Sequence, residues 1–187
     1  MPGLRVISGE AKGRRLKMVP GEDTRPIGDR VKESLFNILG ADVAQARVLD
    51  LFAGTGSVGI EALSRGADHV LFLDSSRAAV RTILANLETT GLTERATVVQ
   101  RNAFAFLESS PAQPYDLVYV APPQYKGLWR RALEALDQGA GWVSLDGLVV
   151  VQIDPKEEQE VALTRLQPVD RRRYGNTLLL FFTLPGT

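Results

Sequence analysis

The sequence predicts an α/β protein: a mostly parallel, doubly wound sheet of seven strands ending in an antiparallel hairpin, with a hairpin and a helix placed before it. Three observations predict this. Short β-like runs alternate with helical patterns through the middle of the chain, as βαβ units do. The runs VLDL, VLFL, LVYV and LVVV are almost continuously apolar, as strands covered on both faces are. The last two β-like runs flank Gly175-Asn176, a turn dipeptide.

Taken in order, residues 4–7 and 14–19 alternate around the turn-rich SGEAKG and predict a β-hairpin. Residues 29–39 place Val31, Leu35, Ile38 and Leu39 on one helical face, with Asp29 suited to the start and Gly40 to the stop. Strands are then predicted at 46–51, 69–73, 96–100, 115–120 and 147–153. Helices are predicted at 57–65, 76–90, 103–109 and 127–138. Residues 168–174 and 176–183 form the closing hairpin, the second run (NTLLLFFT) being strongly β-like.

Composition narrows the function. The chain has 187 residues, 44% apolar and 24% charged, enough for one sizeable core. It has no cysteine, which excludes disulfides and thiolate metal sites, and its only histidine is His69, to which no chemistry is assigned. No metal is expected. No apolar stretch approaches the ~20 residues of a membrane span, and the N-terminus lacks a signal-peptide core. A soluble, cytoplasmic protein with no membrane partner is the expectation. Net charge is zero, yet residues 1–17 hold Arg5, Lys12, Arg14, Arg15 and Lys17 against one acid, Glu10, while Arg171, Arg172 and Arg173 adjoin one another. Local basic segments on a neutral chain suggest a surface that faces a polyanion. A plain solvated face is the alternative.

Residues 48–59, VLDLFAGTGSVG, run from strand to glycine turn to helix start, the arrangement that binds an adenosine-bearing cofactor. The spacing of Gly54, Gly56 and Gly59 does not separate a nicotinamide or flavin site from an S-adenosylmethionine site. Asp50 does better. A carboxylate at the strand end can pair with a cationic amino group, such as that of a methionine moiety, and would repel pyrophosphate. Asp74, ending the second strand, can accept both hydroxyls of a ribose; capping the helix after it is the other reading. Asn102, after the third strand, could meet an adenine edge or cap the helix that follows. The fourth strand ends in Ala121, Pro122, Pro123, Gln124 and Tyr125. Two prolines there predict a rigid, extended rim with free carbonyls, and Tyr125 could stack on a flat base. The closing hairpin also resembles the sheet of S-adenosylmethionine-dependent methyltransferases more than the all-parallel nicotinamide-binding sheet.

Together these residues resemble the bacterial RsmD-type methyltransferases, which modify the exocyclic N2 of a guanine in small-subunit (16S) ribosomal RNA. The likeness runs over nearly the whole chain. It is carried by RVISGEAKGRRL, TRPIGDRVKESLFNIL, DLFAGTGSVGIEALSRGA, Asn86-Leu87 and the proline rim. It implies a Rossmann-like class I methyltransferase fold over 28–187, with 1–27 as a basic hairpin extension. It implies S-adenosylmethionine at Asp50, Phe52, Ala53, Gly54, Thr55, Gly56 and Gly59, and at Asp74, Ser75, Asn102 and Ala103. The catalytic rim is then Ala121, Pro122, Pro123, Gln124 and Tyr125. RNA is implied at Arg5, Lys12, Arg14, Arg15, Lys17, Arg25 and Arg30, with Lys32 added to the patch. Two departures from the family pattern stand out: Ala121 and Gln124 occupy the slots usually held by an Asp or Asn and an aromatic residue, and Asn102 stands where an Asp is usual. The carbonyls of the rim, or Gln124, would then hold the amino group.

The expected partner is ribosomal RNA or an assembling small subunit, and the expected state is a monomer. The alternatives are a methyltransferase acting on DNA or another amino group, and a non-catalytic RNA-binding protein that keeps the cofactor pocket. An oxidoreductase gives no role to Asp50 or to the rim.

Overall fold

The structure, a computed structural model, describes residues 3–21 and 26–186. Its elements follow the predicted alternation. Helix α1 (Asp29–Leu39) leads into β1 (Arg47–Asp50), α2 (Ser57–Ser64), β2 (His69–Asp74), α3 (Arg77–Thr90) and β3 (Ala96–Gln100). Then come α4 (Ala103–Leu107), β4 (Tyr115–Val120), α5 (Leu128–Gln138) and β5 (Val143–Ile153), and the chain closes with β6 (Gln167–Tyr174) and β7 (Thr177–Thr183). The seven strands form one sheet in the order β3-β2-β1-β4-β5-β7-β6. Strands β1 to β5 run parallel, and only the terminal hairpin runs antiparallel, β7 lying between β5 and β6. The order reverses between β1 and β4, so the carboxyl ends of these two strands diverge into helices on opposite faces. In an open α/β sheet, that crevice is where ligands bind.

Strand alternation splits the core in two. Val48, Val70, Phe72, Leu117 and Phe181 pack with α1, α2 and α3, while Leu49, Leu73, Val118, Val149 and Leu180 pack with α4 and α5. Leu4, Val6, Ala11 and Leu16 belong to the first of these cores, so the N-terminal segment is packed onto the body of the protein.

Three local readings of the sequence need correction. The N-terminal hairpin is present but short: Arg5 and Arg15 form an antiparallel bridge, flanked by backbone bonds from the amides of Val6, Gly13 and Leu16 to the carbonyls of Arg14, Val6 and Leu4. The reason is competition for its backbone: the amides of Ile7 and Ser8 donate to Glu61, and the amide of Ala11 donates to the Ser64 hydroxyl, so they bond to α2 rather than across a ladder. The buried face of α1 is Lys32, Leu35, Phe36 and Leu39; Val31 and Ile38 lie only partly buried beside it. Strand β5 begins at Val143, earlier than its apolar run suggests. Ser144 and Asp146 read as a loop, and the pairing with β4 is irregular between Tyr115 and Leu117.

Candidate active site

The site is assembled around the glycine loop between β1 and α2. Gly56 caps α2 with φ 81°, a left-handed conformation that disfavours side chains. Gly59 answers a different need: a Cβ there would lie 2.3 Å from the Phe72 ring, so its bare backbone lets α2 press against β2. Asp74 holds the loop from the next strand. One of its oxygens accepts from the Gly54 amide at 2.9 Å and the other from the Ser76 amide at 2.9 Å. The helix cap is Ser76, which accepts from Ala79. A carboxylate has about four acceptor positions, so both Asp74 oxygens keep capacity for ligand hydroxyls.

Between this loop and the proline rim lies a cavity of about 420 Å³. The loop contributes Phe52, Ala53, Gly54 and Thr55, and the start of α2 contributes Ser57 and Val58. Tyr119 and Gln152, from the ends of β4 and β5, form part of the wall, and Ala121, Pro122, Pro123 and Gln124 form the rim. Met18, Val19, Pro26 and Ile27 close the remaining side, which makes the N-terminal segment part of the pocket.

Asp50 is the most unusual group on this wall. It is 1% exposed. One oxygen accepts a single long bond from the Gly59 amide, 3.3 Å, and Oδ1 has no partner among the described residues. Burial, with a smaller push from Asp74, raises its carboxyl to about 7 against the pull of the Gly59 amide. A buried acceptor without a donor is costly. Asp50 is also one of the residues that line the cavity. Tyr119 stands close by: its hydroxyl donates to Gln152 Oε1, and burial and then the charge of Asp50 hold it well above its ordinary range.

The wall is fastened from behind by buried polar groups. Lys32 and Glu61 are fully buried and pair at 3.2 Å. Lys32 Nζ also donates to the Arg5 carbonyl at 2.6 Å and to the Ser57 hydroxyl at 3.0 Å. Burial pulls the Lys32 ammonium below its ordinary value, with Glu61 opposing. Lys32 is therefore not part of a surface patch, and its charge serves the joint between α1, α2 and the N-terminal segment. Asn86, also fully buried, makes a second joint: it accepts from the Lys17 amide (2.7 Å) and donates to the carbonyls of Lys17 (3.1 Å) and Thr55 (2.9 Å). The pocket's N-terminal wall and its glycine loop thus share one side chain.

The other residues singled out by sequence are scattered around this centre. Asn102 is exposed and caps α4, its oxygen accepting from Phe104 and Ala105. Gly56, Gly59, Asp74, Ser75, Asn102 and Ala103 do not line the cavity, Asp74 standing behind the loop on the Gly54 amide. Tyr125 does not either. It has φ 63°, its amide donates to Glu157 and its hydroxyl donates to Asp154, both at 2.7 Å. Lys12, Arg14, Arg15, Lys17 and Arg30 are exposed, Arg5 pairs with Asp29 at 3.0 Å, and Arg25 lies outside the described residues. Arg171 and Arg172 are engaged by Glu158 and Asp170. Sequence reasoning missed Met18, Val19, Ile27, Ser57, Tyr119 and Gln152. For the last two a signal existed, a polar side chain near the carboxyl end of an otherwise apolar strand.

Comparison with known proteins places this geometry among relatives. The family model Conserved hypothetical protein 95 matches residues 4–183. Ribosomal RNA small subunit methyltransferase D of Haemophilus influenzae is 37% identical over 153 residues, covering 81% of this chain and 79% of its own. The solved structure of the Escherichia coli protein yhhF is similar with a TM-score of 0.86 at 30% identity, over 98% of this chain and 99% of its own. An RNA methyltransferase from Salinibacter ruber, crystallised with S-adenosyl-L-homocysteine, shares the fold with a TM-score of 0.64 at 18% identity, over 87% of this chain and 95% of its own.

Proposed function

The chain belongs to the Conserved hypothetical protein 95 family, that of the RsmD-type ribosomal RNA methyltransferases, and from that premise we propose that it transfers a methyl group from S-adenosylmethionine to the exocyclic N2 of a guanine in small-subunit ribosomal RNA. The observation that carries the reading is Asp50: a buried carboxylate with an unpartnered oxygen on the wall of a cavity of about 420 Å³. The residues present fit the cofactor. Asp50 would take the ammonium of its methionine moiety, the glycine loop would lie along it, and Asp74 would take ribose hydroxyls. The volume falls within the roughly 300–1,000 Å³ of small-molecule sites.

When bound, S-adenosylmethionine supplies a methyl group already activated by its sulfonium. What remains for the protein is placement, since orientation of the reacting groups supplies much of the catalysis in such a transfer. Pro122 and Pro123 stiffen the rim and leave its carbonyls free to accept from a substrate N–H. Val19 and Ile27 line the cavity with apolar surface. The exposed cations of the N-terminal segment would meet RNA phosphates, which position a substrate without reading its sequence.

The test is transfer of labelled methyl from S-adenosylmethionine to small-subunit RNA, free and in assembled subunits, by the purified protein. The expected result is one labelled guanine, modified at N2. Tight binding of S-adenosylmethionine with no label in either substrate would overturn the catalytic reading and leave a cofactor pocket in an RNA-binding protein.

A further inference from the structure

We infer that Gln152 is the side chain that holds the target amino group, filling a role that Ala121 on the neighbouring strand cannot. The inference rests on the methyltransferase reading above. The nitrogen of an exocyclic amino group shares its lone pair with the ring. It becomes an effective nucleophile when an acceptor holds one of its N–H groups and turns the lone pair toward the electrophile. The cavity must therefore offer an acceptor near its rim.

Six side chains with polar groups line the cavity: Asp50, Thr55, Ser57, Tyr119, Gln124 and Gln152. Thr55 accepts from the Ser57 amide, and the Ser57 hydroxyl accepts from Lys32. The Tyr119 hydroxyl is committed as a donor to Gln152. Asp50 is the counter-charge for the cofactor. Gln124 is exposed, and among the described residues no hydrogen bond fixes its amide.

Gln152 is different. It is half-buried, and the register that pairs Val120 with Val151 brings it next to Ala121 as both strands reach the pocket. Its carboxamide is held by a buried phenol, so its orientation is set before substrate arrives. Oε1 has a second lone pair, and Nε2 has no partner among the described residues. An acceptor beside a donor complements the N2–H and N3 edge of guanine. Gln152 is a positioning group and takes no proton, so the proton lost from the nitrogen passes to water.

The experiment compares Gln152→Leu, Gln152→Glu and the double variant Gln152→Leu with Ala121→Asn, using small-subunit RNA and saturating S-adenosylmethionine. For Gln152→Leu, kcat should fall roughly ten- to a hundredfold, while the dissociation constant for S-adenosylmethionine stays within about twofold. Gln152→Glu, which keeps an acceptor, should retain most activity. The Ala121→Asn change should restore activity in the Gln152→Leu background by supplying an acceptor from the adjacent strand. Unchanged kcat in Gln152→Leu would overturn the inference. So would a loss that tracks cofactor affinity, or one that neither acceptor rescues. If the wild-type protein itself binds cofactor and labels no RNA, the methyltransferase reading falls and takes this inference with it; an active wild type with an active Gln152→Leu variant removes the inference alone.

Discussion

Glu61 and Asp50 are both sealed from solvent, at 0% and 1% exposure, yet they are opposites. Each Glu61 oxygen has two partners. One faces Lys32 Nζ (3.2 Å) and the Ile7 amide (2.9 Å), the other the Ser8 amide (3.0 Å) and Arg65 Nε (2.8 Å). Asp50 has one long bond and, among the described residues, an oxygen with nothing to accept from. The third buried acid among the described residues, Asp137, sides with Glu61. Burial alone would raise its carboxyl, but the amides of Thr164, Leu166 and Arg165 hold it below the usual range. Burial therefore does not set Asp50 apart. What does is missing satisfaction beside a cavity, since a buried polar group left unpaired calls for a further partner, such as a ligand, an ion or a water.

The largest effect should come from breaking the satisfied centre. Glu61→Ala leaves the Lys32 ammonium buried with its main counter-charge gone and two backbone amides unpaired. Loss of one partner of a buried pair destabilises by about 3–5 kcal/mol. Urea unfolding should show a loss of that size, with the N-terminal segment released first in hydrogen exchange. Replacing both partners together, with Lys32→Met and Glu61→Leu, should be much milder than Glu61→Ala alone. Equal losses in the single and double variants would mean that the pair is not the unit that matters.

Asp50→Asn sharpens the contrast from the other side. The amide keeps the shape and removes the charge, so a charge-assisted contact worth about 1.5–3 kcal/mol is lost. Affinity for S-adenosylmethionine should drop roughly ten- to a hundredfold by calorimetry, while thermal stability at pH 7.5 holds or rises. Full affinity in this variant would show that Asp50 does not receive the cofactor's cation.

The two centres were not equally legible in the sequence. Asp50 could be read because it ends a continuously apolar run at the carboxyl end of β1, shortly before the glycine turn, a local strand-to-loop pattern. Lys32, in a helix that looked amphipathic, read as part of the basic patch, and Glu61, in the small-residue stretch after the loop, as an ordinary polar position. Their partners come from distant segments, and no local period encodes a contact between α1, α2 and residues 5–8. The same limit hid Tyr119 and Gln152, whose meaning depends on the register of β4 against β5. Nor does the rim's sequence show that Asp154 and Glu157 hold Tyr125 by hydroxyl and amide. The parallel sheet with its antiparallel close followed from the βαβ alternation, whereas nothing in the N-terminal hairpin's pattern showed that side chains on α2 take the amides of Ile7, Ser8 and Ala11.

The smallest effect, and the one that isolates Asp50, is its titration. Its carboxyl is raised from 3.8 to about 7 in the folded protein. The native state therefore binds the extra proton, and the stability this gives is fully present below pH 3.8 and lost as pH rises to about 7. Across that window the cofactor-free protein should lose at most ~1.4 kcal/mol per pH unit from this group, less wherever other carboxylates oppose it. Asp50→Asn should remove that slope and no other. Binding runs the opposite way: the cationic ligand selects the carboxylate, so affinity for S-adenosylmethionine should rise about fivefold between pH 6 and pH 7, by up to about twofold more above that, and level off near pH 8. Below pH 7 calorimetry in buffers of different ionisation enthalpy should detect a proton released on binding by the wild type and none by Asp50→Asn. A pH-independent affinity would place the ligand's cation elsewhere in the cavity and leave the Asp50 oxygen unexplained.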